Sequence, residues 1–250
     1  MVDMNRRSVI LTGATTLALP RLLCADAPVT VVLVHGAWVG NWYWQSVEAR
    51  LNARGIASRA PDLPATDAAI GVNTLADRLA QTIEAVGSAV VMVAHSAAVR
   101  IATAAWDRAR SSVRSVVMIE GPLPLAPPPE VIPADTRTLE YLIVKAPGIV
   151  DAGLWPAPAA LRARYGDRVR PQSLASLTSE VILKNGPLPP EPTRYAVSMT
   201  DSPLAGLARK AQGVPGWGHV TLSGTHDVAG SAPDALTDLI AAVADGASQR

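Results

Sequence analysis

Ala89-Val90-Val91-Met92-Val93 runs without a linker into Ala94-His95-Ser96-Ala97-Ala98, and residues with helical spacing continue to about Arg110. A short, wholly apolar, β-branched run of this kind reads as a buried strand. A strand that meets a helix with nothing between them must turn sharply, and such a turn has room only for small side chains around its centre. Ser96 stands at that centre with Ala94 and Ala98 two positions to either side. A serine so placed has its hydroxyl lifted clear at the carboxyl edge of a sheet, where it can act as a nucleophile. The same five residues also suit an ordinary helix N-cap serine, so the rest of the chain must decide.

The flanking sequence repeats the strand-then-helix pattern. Val29 to Val34 reads as a buried strand, and Trp44 to Arg54 as a helix closed by Gly55. Ala57 to Ala60 reads as a short strand, Leu75 to Val86 as a helix closed by Gly87, and Val113 to Ile119 as another buried strand. Alternation of this kind predicts a mostly parallel central sheet covered by helices on both faces. Strand-like residues return at Tyr195 to Met199 and His219 to Leu222, and a last helix is expected over about Ala235 to Ala244. The stretch between, about 122–192, carries most of the prolines, including Pro127-Pro128-Pro129. Leu139 to Val144 and Leu174 to Leu183 look helical within it. It reads as an inserted helical lid.

Twenty-two basic against 21 acidic residues leave a formal charge of +1. That balance gives no electrostatic footprint for nucleic acid or an anionic membrane, so the expected partner is a small neutral molecule. The single cysteine, Cys24, can form neither an intramolecular disulfide nor a cysteine metal cluster, and no metal or cofactor is expected. Asn5-Arg6-Arg7-Ser8 followed by apolar residues to about Leu19, then Ala25-Asp26-Ala27, reads as a twin-arginine export signal over residues 1–27. The apolar run is too short to span a bilayer, which takes about 20 residues. The expectation is a periplasmic or secreted protein whose mature domain is 28–250, with a cytoplasmic location if the signal is not used.

Three further elements complete a candidate site. His35-Gly36-Ala37-Trp38 follows the first strong strand, where backbone N–H groups can face a developing oxyanion. Ala37 and Ala97 are assigned as its donors, with His35 holding the loop. Of four histidines, His95 lies inside the turn and His219 opens a late strand, so His226, in the loop after the last strand, is the expected base, with His219 its main rival. Asp201, after the Tyr195 to Met199 strand, is the expected acid, giving the chain order Ser96, Asp201, His226. Glu120, at the end of an earlier strand, and Asp227, beside the base, are its rivals. Trp38, Tyr43 and Trp155 are candidate pocket aromatics, while Trp42 and Trp44 suit core packing.

Val31-Val32-Leu33-Val34-His35-Gly36-Ala37-Trp38, Ala60-Pro61-Asp62-Leu63-Pro64, Thr200-Asp201 and Thr225-His226-Asp227-Val228 resemble the plant methylesterase and hydroxynitrile lyase branch of the α/β-hydrolases and its bacterial esterase relatives. The resemblance runs from about Val29 to the end, except over Leu123 to Pro192. It implies an α/β-hydrolase fold and a serine hydrolase that cleaves a small, neutral or hydrophobic carboxylic ester through an acyl-enzyme. A histidine base predicts that hydrolysis falls as pH drops below neutral. Two alternatives share the scaffold: a non-catalytic ligand-binding protein or lactone receptor, and a hydroxynitrile-type lyase. The lyases of that branch use a lysine near the catalytic histidine, and none follows His226 here. Substrate identity and oligomeric state are left open.

Overall fold

A computed structural model of the chain describes residues 28–125, 131–186, 188 and 193–248; the export-signal reading, on residues 1–27, lies outside them. In chain order come β1 (Val29–Val34), α1 (Gln45–Ala53), β2 (Ala57–Arg59), α2 (Val72–Val86), β3 (Ala89–His95), α3 (Ala98–Arg108) and β4 (Val113–Ile119). An insertion follows with β5 (Val131–Ile132), α4 (Thr136–Lys145), α5 (Pro147–Ala152), β6 (Leu154–Trp155), α6 (Ala159–Tyr165), β7 (Gln172–Ser173), α7 (Leu174–Thr178) and β8 (Val181–Ile182). The chain closes with β9 (Thr193–Asp201), α8 (Ala205–Arg209), β10 (Trp217–Thr225), α9 (Val228–Ser231) and α10 (Pro233–Ser248).

Six strands form one sheet in the order β2-β1-β3-β4-β9-β10, and every neighbouring pair is parallel. The strands alternate between two cores because successive side chains leave a strand on opposite faces. Val32, Val34, Val90, Met92, Val116 and Met118 pack with α2 and α3. Val31, Leu33, Val91, Val93, Val117 and Ile119 pack with α1 and α10. Helix α2 shows how the covering layer forms. Val72, Leu75, Ala76, Leu79, Ala80 and Ile83 recur at helical spacing and are all buried, and Gly87 ends the helix at φ 67°. Each large aliphatic side chain buried this way contributes about 1.5–3 kcal/mol relative to exposure.

The order reverses at β1 and β3: the chain steps outward from β1 to β2, then crosses back to place β3 on the other side of β1. Loops after neighbouring strands that leave in opposite directions open a crevice at the carboxyl edge. The insertion is held by two small antiparallel ribbons, β5 with β8 and β6 with β7. Its helix expected over Leu174 to Leu183 is shorter than the apolar run suggested. It ends at Thr178, and the β-branched pair Val181-Ile182 goes instead to the ribbon with Val131-Ile132. Among the described residues no helix is long and apolar enough to cross a membrane, and no group of three or more His, Cys, Asp or Glu side chains is gathered for a metal ion.

Candidate active site

The turn after β3 folds as its small residues require. Ser96 takes φ 57°, a left-handed conformation that costs a non-glycine residue about 1–3 kcal/mol. Ala94 and Ala98 are both buried in the core, so the two alanines fit the turn without displacing it. A tight approach to the turn falls at Gly121: a Cβ there would lie 2.3 Å from the Ser96 carbonyl oxygen.

His226, directly after β10, places Nε2 3.0 Å from Ser96 Oγ. Its Nδ1 lies 2.7 Å from Glu120 Oε2. A carboxylate can only accept, so Nδ1 carries the proton and Nε2 presents its lone pair to the serine hydroxyl. The carboxylate paired with His226 is therefore Glu120, not Asp201, which corrects the expectation from the sequence. Glu120 leaves the end of β4 at φ 47°, and its side chain is fully buried. It also accepts from the Met199 amide at 2.8 Å and from Ser202 Oγ at 2.6 Å. Burial pushes its pKa up, but the hydrogen bonds from His226, Ser202 and Met199 outweigh this and hold the carboxyl below its ordinary value. Asp201 stands at the cavity wall as an exposed residue and accepts from Thr200 Oγ1 at 3.2 Å. Asp227, the other rival, accepts from Tyr165 Oη at 2.5 Å and pairs with Arg164 Nε at 2.7 Å, both from α6.

The remaining histidines have structural duties. His95 Nε2 donates to the His226 carbonyl at 2.8 Å, and its ring stacks on Tyr43. Burial, with His226 close by, holds its pKa down at about 3, so it stays neutral and pins the loop that carries His226. His35 Nδ1 donates to the Gly36 carbonyl at 2.9 Å, and its Nε2 accepts from the Leu63 amide at 3.0 Å. His219 lies 3.0 Å from Ser198 Oγ, away from this site.

A cavity of about 370 Å³ opens beside Ser96 and His226. Ala37, Trp38 and Tyr43 line one side, and Ala160, Leu161 and Arg164 of α6 line another. Trp38 and Tyr43 thus stand where the sequence suggested. Trp155 does not reach the cavity wall; it backs Trp38 edge-on at a ring distance of 5.4 Å and accepts the Trp38 indole proton on its carbonyl at 3.0 Å. Trp44 is core, and Trp42 packs on Tyr165. Neither the Ala37 nor the Ala97 amide donates to a partner among the described residues. Ala97 also opens α3, where the helix dipole favours negative charge.

The loop after β2 is tied to the insertion by Arg170, which grips Asp62 with two bonds of 2.9 and 2.7 Å. This guanidinium, bonded to both carboxylate oxygens, holds the Asp62 carboxyl well below the usual carboxylate range. Because its folded-state pKa lies under the unfolded value of about 4, the stabilisation is complete above that pH and is lost as pH falls through the acidic range. Asp62→Asn is therefore expected to lower the melting temperature at neutral pH. The gap to the unsubstituted chain should narrow steadily as pH falls below about 4, which melting curves over the acidic range would measure.

Known proteins bear on this geometry. A carbendazim hydrolyzing esterase of Nocardioides sp. (strain SG-4G) is 26% identical over 241 residues, covering 85% of this chain and 98% of its own. A pyrethroid hydrolase of Sphingobium faniae JZ-2 superposes with a TM-score of 0.62 at 18% identity, covering 89% of this chain and 100% of that one. An extracellular α/β-hydrolase from a Paenibacillus species, described as similar to tobacco salicylic acid binding protein 2, reaches a TM-score of 0.67 at 14% identity over 86% of this chain and 98% of its own. The profile of the alpha/beta hydrolase family matches residues 31–239. With that match spanning nearly the whole parallel sheet and the turn that carries Ser96, the chain belongs to the α/β-hydrolase family.

Proposed function

We propose that the protein is a serine hydrolase of small, neutral or apolar carboxylic esters, with Ser96, His226 and Glu120 as its catalytic residues. One observation carries the reading: a single imidazole bridges the strained serine and a buried carboxylate, at 3.0 and 2.7 Å. His226 Nε2 takes the hydroxyl proton as Ser96 Oγ attacks the ester carbonyl. Glu120 holds the imidazole in the required tautomer and balances its positive charge. The oxyanion rests on the Ala37 and Ala97 amides. The imidazolium then protonates the departing alkoxide, and water, activated by the same histidine, releases the acid from the acyl-enzyme. A mostly apolar cavity under α6 suits an uncharged ester, with the insertion acting as its lid. The esterase and hydrolase relatives favour this reading over a receptor.

The test is direct. A fluorophosphonate should label the purified protein once per chain, at the peptide that contains Ser96, and the same preparation should hydrolyse short p-nitrophenyl esters. Absence of labelling, or labelling at another serine, would sink the assignment.

A further inference from the structure

Trp38 is the residue after the Ala37 oxyanion donor, and it is held in the left-handed region at φ 65°. Tryptophan has no intrinsic preference for that conformation, so something must impose it. All three of its polar groups are taken by the insertion. Its amide donates to Gln172 Oε1 at 3.3 Å, its carbonyl accepts from the Arg170 amide at 2.8 Å, and its indole donates to the Trp155 carbonyl at 3.0 Å. Trp155 and Gln172 are themselves partners in the β6–β7 ribbon. Gln172 is buried, and its Nε2 donates to Ser176 Oγ at 2.6 Å, which fixes which end of the amide faces Trp38.

The two peptide planes around Ala37 are therefore held from opposite sides. The plane before it has its carbonyl, that of Gly36, on His35 Nδ1. A trans peptide points N–H and C=O in opposite directions, so the Ala37 amide faces away from His35. The plane after it has its N–H on Gln172. Of these two clamps, one comes from the sheet's own loop and the other from the insertion. A small void lies between Ala37, Ala97, Gln172 and Ser176, so the insertion stands directly behind both oxyanion donors.

We propose that Gln172 is a positioning residue for the oxyanion hole: by holding Trp38 in its left-handed conformation, it makes the inserted segment a structural part of that hole. The proposal rests on Ser96 acting as the nucleophile. Its test compares the unsubstituted chain with Gln172→Leu, which keeps the size but cannot accept, and Gln172→Glu, which keeps an acceptor for the Trp38 amide. Two quantities are measured: the rate of fluorophosphonate labelling of Ser96, and kcat and KM for p-nitrophenyl acetate. Thermal melts confirm that each variant is folded. Gln172→Leu should lower both the labelling rate and kcat by about tenfold to a hundredfold with KM within about threefold, and Gln172→Glu should recover most of the loss. Labelling within twofold of normal in Gln172→Leu, a change in KM alone, or equal losses in both variants would overturn it. In a Trp38→Gly background, glycine adopts the conformation unaided, so Gln172→Leu should cost less than about threefold; an undiminished cost there also overturns it. If the unsubstituted chain does not label at all, the nucleophile assignment falls and this proposal with it. Normal labelling unaffected by Gln172→Leu removes the proposal alone.

Discussion

Glu120→Gln is expected to lower kcat for ester hydrolysis by about 10³- to 10⁴-fold, the scale seen when a triad carboxylate becomes an amide, while Asp201→Asn leaves it within about threefold. The reason lies in what surrounds the carboxyl. Glu120 Oε2 accepts from His226 Nδ1 and Ser202 Oγ, and Oε1 accepts from the Met199 amide. An amide has one accepting end. Turned toward His226, it sets its NH₂ against the Met199 N–H; turned the other way, it sets it against the imidazole. Either way a buried donor is left facing a donor, and the histidine tautomer that serves Ser96 is no longer enforced. Asp201 has no such setting: it is exposed, and among the described residues its carboxylate accepts from Thr200 Oγ1 alone. Steady-state kinetics of the two variants on one ester decide the matter. A severe loss in Asp201→Asn with Glu120→Gln near normal would reverse the assignment.

Gly121→Ala should destabilise the protein by about 1–3 kcal/mol or more, visible as a fall of roughly 2–12 °C in melting temperature, and should cost still more in turnover than in stability. The added Cβ would lie 2.3 Å from the Ser96 carbonyl and 2.4 and 2.6 Å from Val99 Cγ2 and Cβ. Two of these are backbone or backbone-proximal atoms that cannot swing aside, so the turn itself must move. Gly246 in α10 is the control, since no atom lies within 4 Å of a Cβ placed there. Alanine at that helical position should stabilise by about 0.5–1 kcal/mol. Calorimetry of both variants, with labelling of Ser96 in each, separates crowding of the turn from a general intolerance of lost glycines.

Much of this site could be read from the chain because its parts are local. Ser96 announces itself by a strand that runs straight into a helix, and His226 by elimination among four histidines. The parallel sheet followed from apolar runs alternating with helical spacing. The acid was harder. Glu120 and Asp201 both follow strands that point at the same crevice, and the residues alone do not say which side chain turns inward. Glu120 does so from an unusual left-handed backbone, and its longer side chain crosses from β4 to meet both β9 and His226. The available signal was Met118-Ile119-Glu120-Gly121, a buried strand meeting a glycine-backed turn, the same logic that picked out Ser96. The insertion was least legible. Its ribbons are two residues long, and they place Trp155 behind Trp38 rather than in the cavity, and Gln172 beside the Ala37 loop, through pairings that no local pattern encodes.

Among the described residues, the non-glycine positions with positive φ are Trp38, Ser96 and Glu120, at the carboxyl ends of β1, β3 and β4. At Ser96 and Glu120 this strain makes heat resistance and turnover rival traits of the same codon. Glycine or asparagine at any of the three positions relaxes the backbone, so a library sorted for thermal survival alone should enrich such replacements, and those at Ser96 and Glu120 remove a group the proposed chemistry uses. Sorting the same library by Ser96 labelling should purge the replacements at Ser96 and Glu120. Directed evolution of this scaffold toward robustness is best confined to the covering helices and the insertion's outer face, with the sheet's carboxyl rim left as it stands.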